Sequence, residues 1–129
     1  MANRTVLIIE DEDSVREVAQ MSLELMSGWT VLTAASGGDG IAKALTSQPD
    51  LILLDVMMPE MDGPTTYRHL QDDARTSRIP VILLTAKSHA SERAQLASLG
   101  VTGIITKPFD PVQLADQIRQ ILSWTDPVE

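Results

Sequence analysis

Val6-Leu7-Ile8-Ile9-Glu10-Asp11 and Leu51-Ile52-Leu53-Leu54-Asp55 decide the fold, because in each a run of aliphatic residues passes directly into acid. Unbroken aliphatic runs without polar alternation suit parallel strands covered by helices on both faces. Two later runs repeat the pattern with other endings: Val81-Ile82-Leu83-Leu84 meets Thr85, and Ile104-Ile105-Thr106 meets Lys107. In an open parallel sheet, ligands bind beyond the carboxyl ends of the strands. Three carboxylates, a hydroxyl and an ammonium are therefore predicted to share one sheet edge.

Between these runs lie amphipathic stretches punctuated by turn residues, the pattern of repeated strand–helix–strand units. The reading is an α/β fold, a doubly wound five-stranded parallel sheet flanked by five helices. Ser14 and Glu17 have capping-box spacing, and Val15, Val18, Ala19, Ser22, Leu23 and Met26 trace one face of a first helix that Gly28 stops. Trp29 to Ala34 reads as the second strand. Ser36 to Ser47 reads as a second helix through Ile41, Ala42 and Leu45, and Pro59 and Gly63-Pro64 bracket a loop before the third. Leu96, Ala97 and Leu99 belong to a short fourth helix ending at Gly100. Asp110-Pro111 is a helix start, and Val112, Leu114, Ala115, Ile118, Ile121 and Leu122 supply that helix's buried face.

Crowding Glu10, Asp11 and Asp55 together would force protons on or push the site apart unless a cation sits among them. A hard divalent cation with oxygen ligands, Mg²⁺ first, suits such a site.

At 129 residues the chain reads as one domain, residues 1–129 with a core from about residue 4 to 123, and no output segment. Met1 close before the first strand suggests that nothing is missing at the front. Aromatic residues are only 3% of the chain, so the core falls to Leu, Ile, Val, Ala and Met. A net charge of −8, with ten basic residues scattered among eighteen acids, argues against nucleic acid as a partner. The absence of cysteine removes disulfides, thiolate metal sites and thiol nucleophiles, and fits a cytoplasmic protein. No signal peptide or spanning helix is legible, so no membrane is expected either.

Each residue also has a plainer reading. Asp11 and Asp13 could cap a helix, Thr85 could be an ordinary strand-end threonine, and Lys107 a solvated lysine. Asp55 resists such a reading, since Val56-Met57-Met58-Pro59 follows it and not a helix start. Glu12 is read as solvated, Asp13 as a helix cap, the methionines as packing or loop residues, and His69 and His89 are assigned no role.

Taken together, VLIIEDED (Val6 to Asp13), LILLDVMMPEMDG (Leu51 to Gly63), VILLTA (Val81 to Ala86) and TKPFDP (Thr106 to Pro111) resemble the response-regulator receiver domains of two-component signalling. The resemblance covers essentially the whole chain. It implies a CheY-like, flavodoxin-like sheet in strand order 2-1-3-4-5. It implies that Asp55 accepts a phosphoryl group from a phosphohistidine donor, with Glu10, Asp11, Asp55 and the main-chain carbonyl of Met57 holding Mg²⁺. Thr85 would bond one phosphoryl oxygen, Lys107 would pair with another, and Lys107-Pro108 would be a cis peptide. Lys87 and Met57 would flank the phosphoryl site. The implied partners are a sensor histidine kinase or histidine phosphotransfer protein and an unknown output protein, with the chain a monomer or weak homodimer. It would be a signalling switch that catalyses its own phosphorylation and slow dephosphorylation, as terminal regulator or relay intermediate.

One position departs from the resemblance. The family usually carries Tyr or Phe three residues before the lysine, where this chain has Ile104. The implied switch would run through Thr85 and repacking around Ile104, with a smaller surface change. Two other functions compete with this reading: a pseudo-receiver that binds partners without phosphorylation, and a haloacid-dehalogenase-type phosphohydrolase using Asp11. The intact set of Glu10, Asp11, Asp55, Thr85 and Lys107 speaks against the first. The second needs no carboxylate at Asp55.

Overall fold

The computed structural model describes residues 4–86 and 90–124. The runs that end in functional residues form strands β1 (Thr5–Ile9), β3 (Leu51–Asp55), β4 (Val81–Thr85) and β5 (Gly103–Thr106), joined by β2 (Thr30–Ala34). Helices α1 (Asp13–Ser27), α2 (Gly37–Ser47), α3 (Gly63–Asp72), α4 (Ala90–Ala97) and α5 (Leu114–Leu122) alternate with them. All strand pairs are parallel, in the order β2-β1-β3-β4-β5. The expected fold and strand order are both observed.

Strand periodicity sorts the aliphatic runs into two cores. Val6, Ile8, Leu51, Leu53, Ile82 and Leu84 face one side, where Ala19 and Leu23 of α1 and Leu114, Ala115 and Ile118 of α5 cover them. Leu7, Ile9, Ile52, Leu54 and Leu83 face the other, covered by Ala44, Tyr67, Leu70 and Leu96 of α2, α3 and α4. Burial on both faces is why the strands read as unbroken apolar runs. Ile104 lies beside Leu83 in the register and packs, partly buried, on this second core.

Several details differ from the sequence reading. Helix α1 begins at Asp13, and its cap position Glu12 makes no side-chain cap bond, so the Ser14–Glu17 capping box is not used. The Asp13 carboxylate is taken by Arg16 instead. Only Ala19, Ser22 and Leu23 of α1 are buried; Val18 and Met26 are exposed, because α5 covers only part of the apolar stripe. Asp110 does accept from the Val112 amide at 2.9 Å, yet regular α5 starts only at Leu114 and Val112 is exposed. The Ser22 hydroxyl donates to the Pro111 carbonyl, which ties this turn to α1 ahead of the helix.

Helix α4 stops at Ala97, so Leu99 and the expected end at Gly100 fall in the turn after it. Ser36 caps α2 by accepting from the Asp39 amide at 3.1 Å, and α1 stops at Gly28, whose φ of 74° favours glycine. Trp29 lies just before β2 and is buried. Lys87, His89 and residues 125–129 lie outside the described residues.

Candidate phosphoacceptor and metal site

The strand order reverses between β1 and β3, since the chain leaves β1 toward β2 on one side and returns to β3 on the other. A crevice at such a switch point, beyond the carboxyl ends of the strands, is where α/β sheets bind ligands. Glu10 follows β1 directly and Asp55 ends β3, which places both carboxylates at that crevice. Glu10 is fully buried, Asp55 is 2% exposed and Asp11 is partly exposed. One oxygen from each of the three comes within 4.8 Å of the others.

Lys107 closes the site from the loop after β5. Its ammonium donates to Asp55 Oδ1 at 2.9 Å and to Glu10 Oε1 at 3.2 Å. Its amide donates to the Thr85 carbonyl at 2.8 Å, which fixes the loop to the end of β4. The Lys107-Pro108 bond is cis, as expected. Thr85 is fully buried at the next register position beyond the Asp55–Leu84 pair, so it stands at the same edge.

Burial, then the neighbouring Asp55 carboxylate, push the Glu10 carboxyl up to about 7, against the opposing pull of the Glu12 amide and Lys107. Burial opposes the charge on Lys107, but its hydrogen bond to Asp55 and the fields of Asp55 and Glu10 outweigh it and raise the ammonium above its ordinary value. One ammonium thus engages two of three clustered carboxylates. That excess of oxygen donors fits a hard divalent cation.

All of Glu10, Asp11, Asp55, Thr85 and Lys107 come together at one edge. Met57 lies two residues beyond Asp55 with its side chain 66% exposed, so the thioether is no part of a buried donor set. Helix α3 supports the site from below through Gly63, whose amide donates to the Val56 carbonyl at 2.9 Å. A Cβ at Gly63 would lie 2.5 Å from the Asp55 carbonyl oxygen and 2.8 Å from Val56 Cα. Sequence reading took this glycine for a turn residue; a Gly-Pro pair eight residues after a strand-end aspartate gives no sign of a backbone approaching that strand. Asp62 caps α3 by accepting from the Thr65 amide at 2.9 Å, a bond that holds its carboxyl below the usual range.

A five-stranded sheet in this order, with an acidic cluster and a lysine at its switch point, is the architecture of the response regulator receiver domain. The chain belongs to that family, which it matches over residues 6–119, and it is a phosphoacceptor module of two-component signalling. It is 39% identical over 121 residues to the DNA-binding dual master transcriptional regulator RpaA of Synechocystis sp., covering 94% of this chain and 50% of that protein. The chain spans about half the length of the curated relatives it matches. Among solved structures it resembles chemotaxis protein CheY4 of Vibrio cholerae, with TM-score 0.85, 29% identity and coverage of 93% and 99% of the two chains. It also resembles the receiver domain of sensor histidine kinase PA1611 from Pseudomonas aeruginosa, a structure with a magnesium ion coordinated in its active-site cleft. There the TM-score is 0.83 and the identity 25%, over 95% of this chain and all of that one.

Proposed function

We propose that Asp55 takes a phosphoryl group from a phosphohistidine on a sensor kinase or phosphotransfer protein, in a reaction that requires Mg²⁺ held by Glu10, Asp11, Asp55 and the Met57 carbonyl. The observation that carries this reading is the convergence of three carboxylates within 4.8 Å under an ammonium 2.9 Å from Asp55. Bound there, Mg²⁺ supplies charge to the transferring oxygens. An Asp55 carboxylate oxygen attacks phosphorus, the P–N bond breaks as the P–O bond forms, and the imidazole leaves and recovers a proton from solvent. Lys107 follows the charge from the Asp55 carboxylate to a phosphoryl oxygen, and the Thr85 hydroxyl donates to another. Lys107 is already held at the site by Asp55 and Glu10 before the reaction, and preorganised donors are where electrostatic catalysis gains most. The resulting acyl phosphate is open to water at the same site, so the signal decays without a second protein.

The donor's docking surface lies beside the pocket. An apolar cavity of about 440 Å³ is lined by Val15, Val18, Pro108 and Phe109 and reaches Lys107. Val18 also borders a second apolar groove formed with Met21, Leu25, Met26 and Val112, all well exposed. An uncovered apolar strip that runs up to Lys107, itself bonded to Asp55, fits a partner that must place a histidine there. Since phosphohistidine is made at the expense of ATP, we assign the chain to the cytoplasm. Among the described residues no helix is long and apolar enough to cross a membrane.

A titration with beryllofluoride, followed by amide chemical shifts with and without Mg²⁺, tests this. Mg²⁺-dependent shifts centred on Asp55, Thr85 and Lys107 are expected. Shifts that ignore Mg²⁺, or none in a folded sample, would contradict it.

A further inference from the structure

We infer that Arg16 is a positioning residue for the divalent cation, clamping the main chain of the two residues that present Glu10 and Asp11 to the site; this rests on the metal-dependent function proposed above. Arg16 sits in the first turn of α1, and its guanidinium reaches back across the β1–α1 loop. Nη1 donates to the Glu10 carbonyl at 2.9 Å and makes a longer contact of 3.5 Å with the Asp11 carbonyl. Nη2 bonds Asp13 Oδ1 at 2.5 Å. The Arg16 side chain is 18% exposed although its Asp13 partner is 81% exposed, so the guanidinium is drawn inward by the loop and not outward by the ion pair.

The β1–β3 register ends at Ile9–Leu54, and the Glu10 amide still donates to Ala34. The Glu10 carbonyl therefore depends on a side chain for its partner, within a fully buried residue. The two arms of the planar guanidinium divide the work, Nη1 on the loop carbonyls and Nη2 on Asp13, a spread that a single ammonium does not reach. Fixing those two peptide planes fixes the directions in which Glu10 and Asp11 leave the backbone. It also turns the Glu12 amide toward Glu10 Oε2, 3.1 Å away. Glu10 is then held at three points: Arg16 on its carbonyl, Glu12 on one carboxylate oxygen and Lys107 on the other.

Three roles for Arg16 predict different outcomes. As a nearby charge alone it would repel a cation, so its removal would tighten Mg²⁺ binding. As a structural bond alone it would lower the melting temperature and leave the affinity of folded molecules unchanged. As a positioning residue it sets the affinity itself, because the carboxylates lose their common aim without it.

Calorimetric Mg²⁺ titration and thermal melting of the full chain, with Arg16→Met and Arg16→Lys, separate these. Arg16→Met keeps the apolar stem and is expected to bind Mg²⁺ more weakly by on the order of tenfold. Arg16→Lys should fall between, since one ammonium can hold the Glu10 carbonyl but has no second arm braced on Asp13. Equal or tighter binding by folded Arg16→Met would overturn the inference. Should Arg16→Met fail to fold, Arg16→Lys decides: weaker binding supports the clamp and unchanged binding overturns it. No Mg²⁺ binding by the wild type would overturn the metal-dependent function, and the clamp with it.

Discussion

The Lys107 ammonium rests 2.9 Å from Asp55 Oδ1 and 3.2 Å from Glu10 Oε1. A lysine after the fifth strand and an aspartate at the end of the third are thus joined across a buried edge, 52 residues apart in sequence. Lys107 offsets part of the carboxylates' charge and stands beside the oxygen that phosphorylation would modify.

Removing Lys107 should separate those two duties. Lys107→Ala takes a cation away from the carboxylates, so Mg²⁺ binding is expected to hold or tighten. The response to the phosphoryl group should be lost, because no ammonium remains to follow it. Calorimetry for Mg²⁺ and amide shifts with beryllofluoride check the pair; markedly weaker Mg²⁺ binding would contradict the geometry.

Asp55→Asn should stabilise the metal-free protein. Three carboxylates crowd around a site with one ammonium bound to two of them, and the amide removes one negative charge while Glu10 still engages Lys107. A gain of about 1 kcal/mol, or roughly 4 °C in melting temperature, is expected. A melting temperature equal to or below that of wild type, measured in a chelator, would count against crowding.

The raised carboxyl of Glu10 sets a pH dependence whose sign is fixed. Its value of about 7 in the folded chain against 4.5 unfolded means that the folded state keeps a proton which the unfolded state has released. Metal-free stability should therefore fall as pH rises from about 4.5 to about 7 and level off above. Melting curves across that window should slope downward, and Glu10→Gln should remove that slope; a wild-type curve that rises instead would place the perturbation elsewhere.

Gly63→Ala should damage both stability and the site. The added methyl meets the backbone of Asp55 and Val56, which cannot turn aside as a flexible side chain would. A loss of about 1–3 kcal/mol is expected, together with weaker Mg²⁺ binding as the end of β3 shifts. Wild-type Mg²⁺ affinity in a destabilised Gly63→Ala would show that α3 and the metal site are independent.

The sheet and the acidic edge were legible because their signals are local. Four aliphatic residues in a row report burial on both faces, and a polar residue directly after them marks the strand end where ligands gather. Arg16 and Gly63 were illegible for the opposite reason. What Arg16 does depends on carbonyls five and six residues back across a loop, and what Gly63 does depends on the close approach of α3 to β3. Neither leaves a periodic trace. Periodicity counts every apolar residue of α1, whereas only Ala19, Ser22 and Leu23 are buried and Val18 and Met26 face solvent. Similarly, Asp110-Pro111 has the right chemistry for a helix start, and the bond from Ser22 to Pro111 delays it to Leu114.

The central claim is that Asp55 is a Mg²⁺-dependent phosphoacceptor, and intact-mass measurement after incubation with acetyl phosphate tests it most directly. One phosphoryl adduct should form with Mg²⁺, vanish with chelator and be absent from Asp55→Asn. An adduct that persists in chelator or in folded Asp55→Asn, or no adduct on folded wild type with Mg²⁺, would contradict the account.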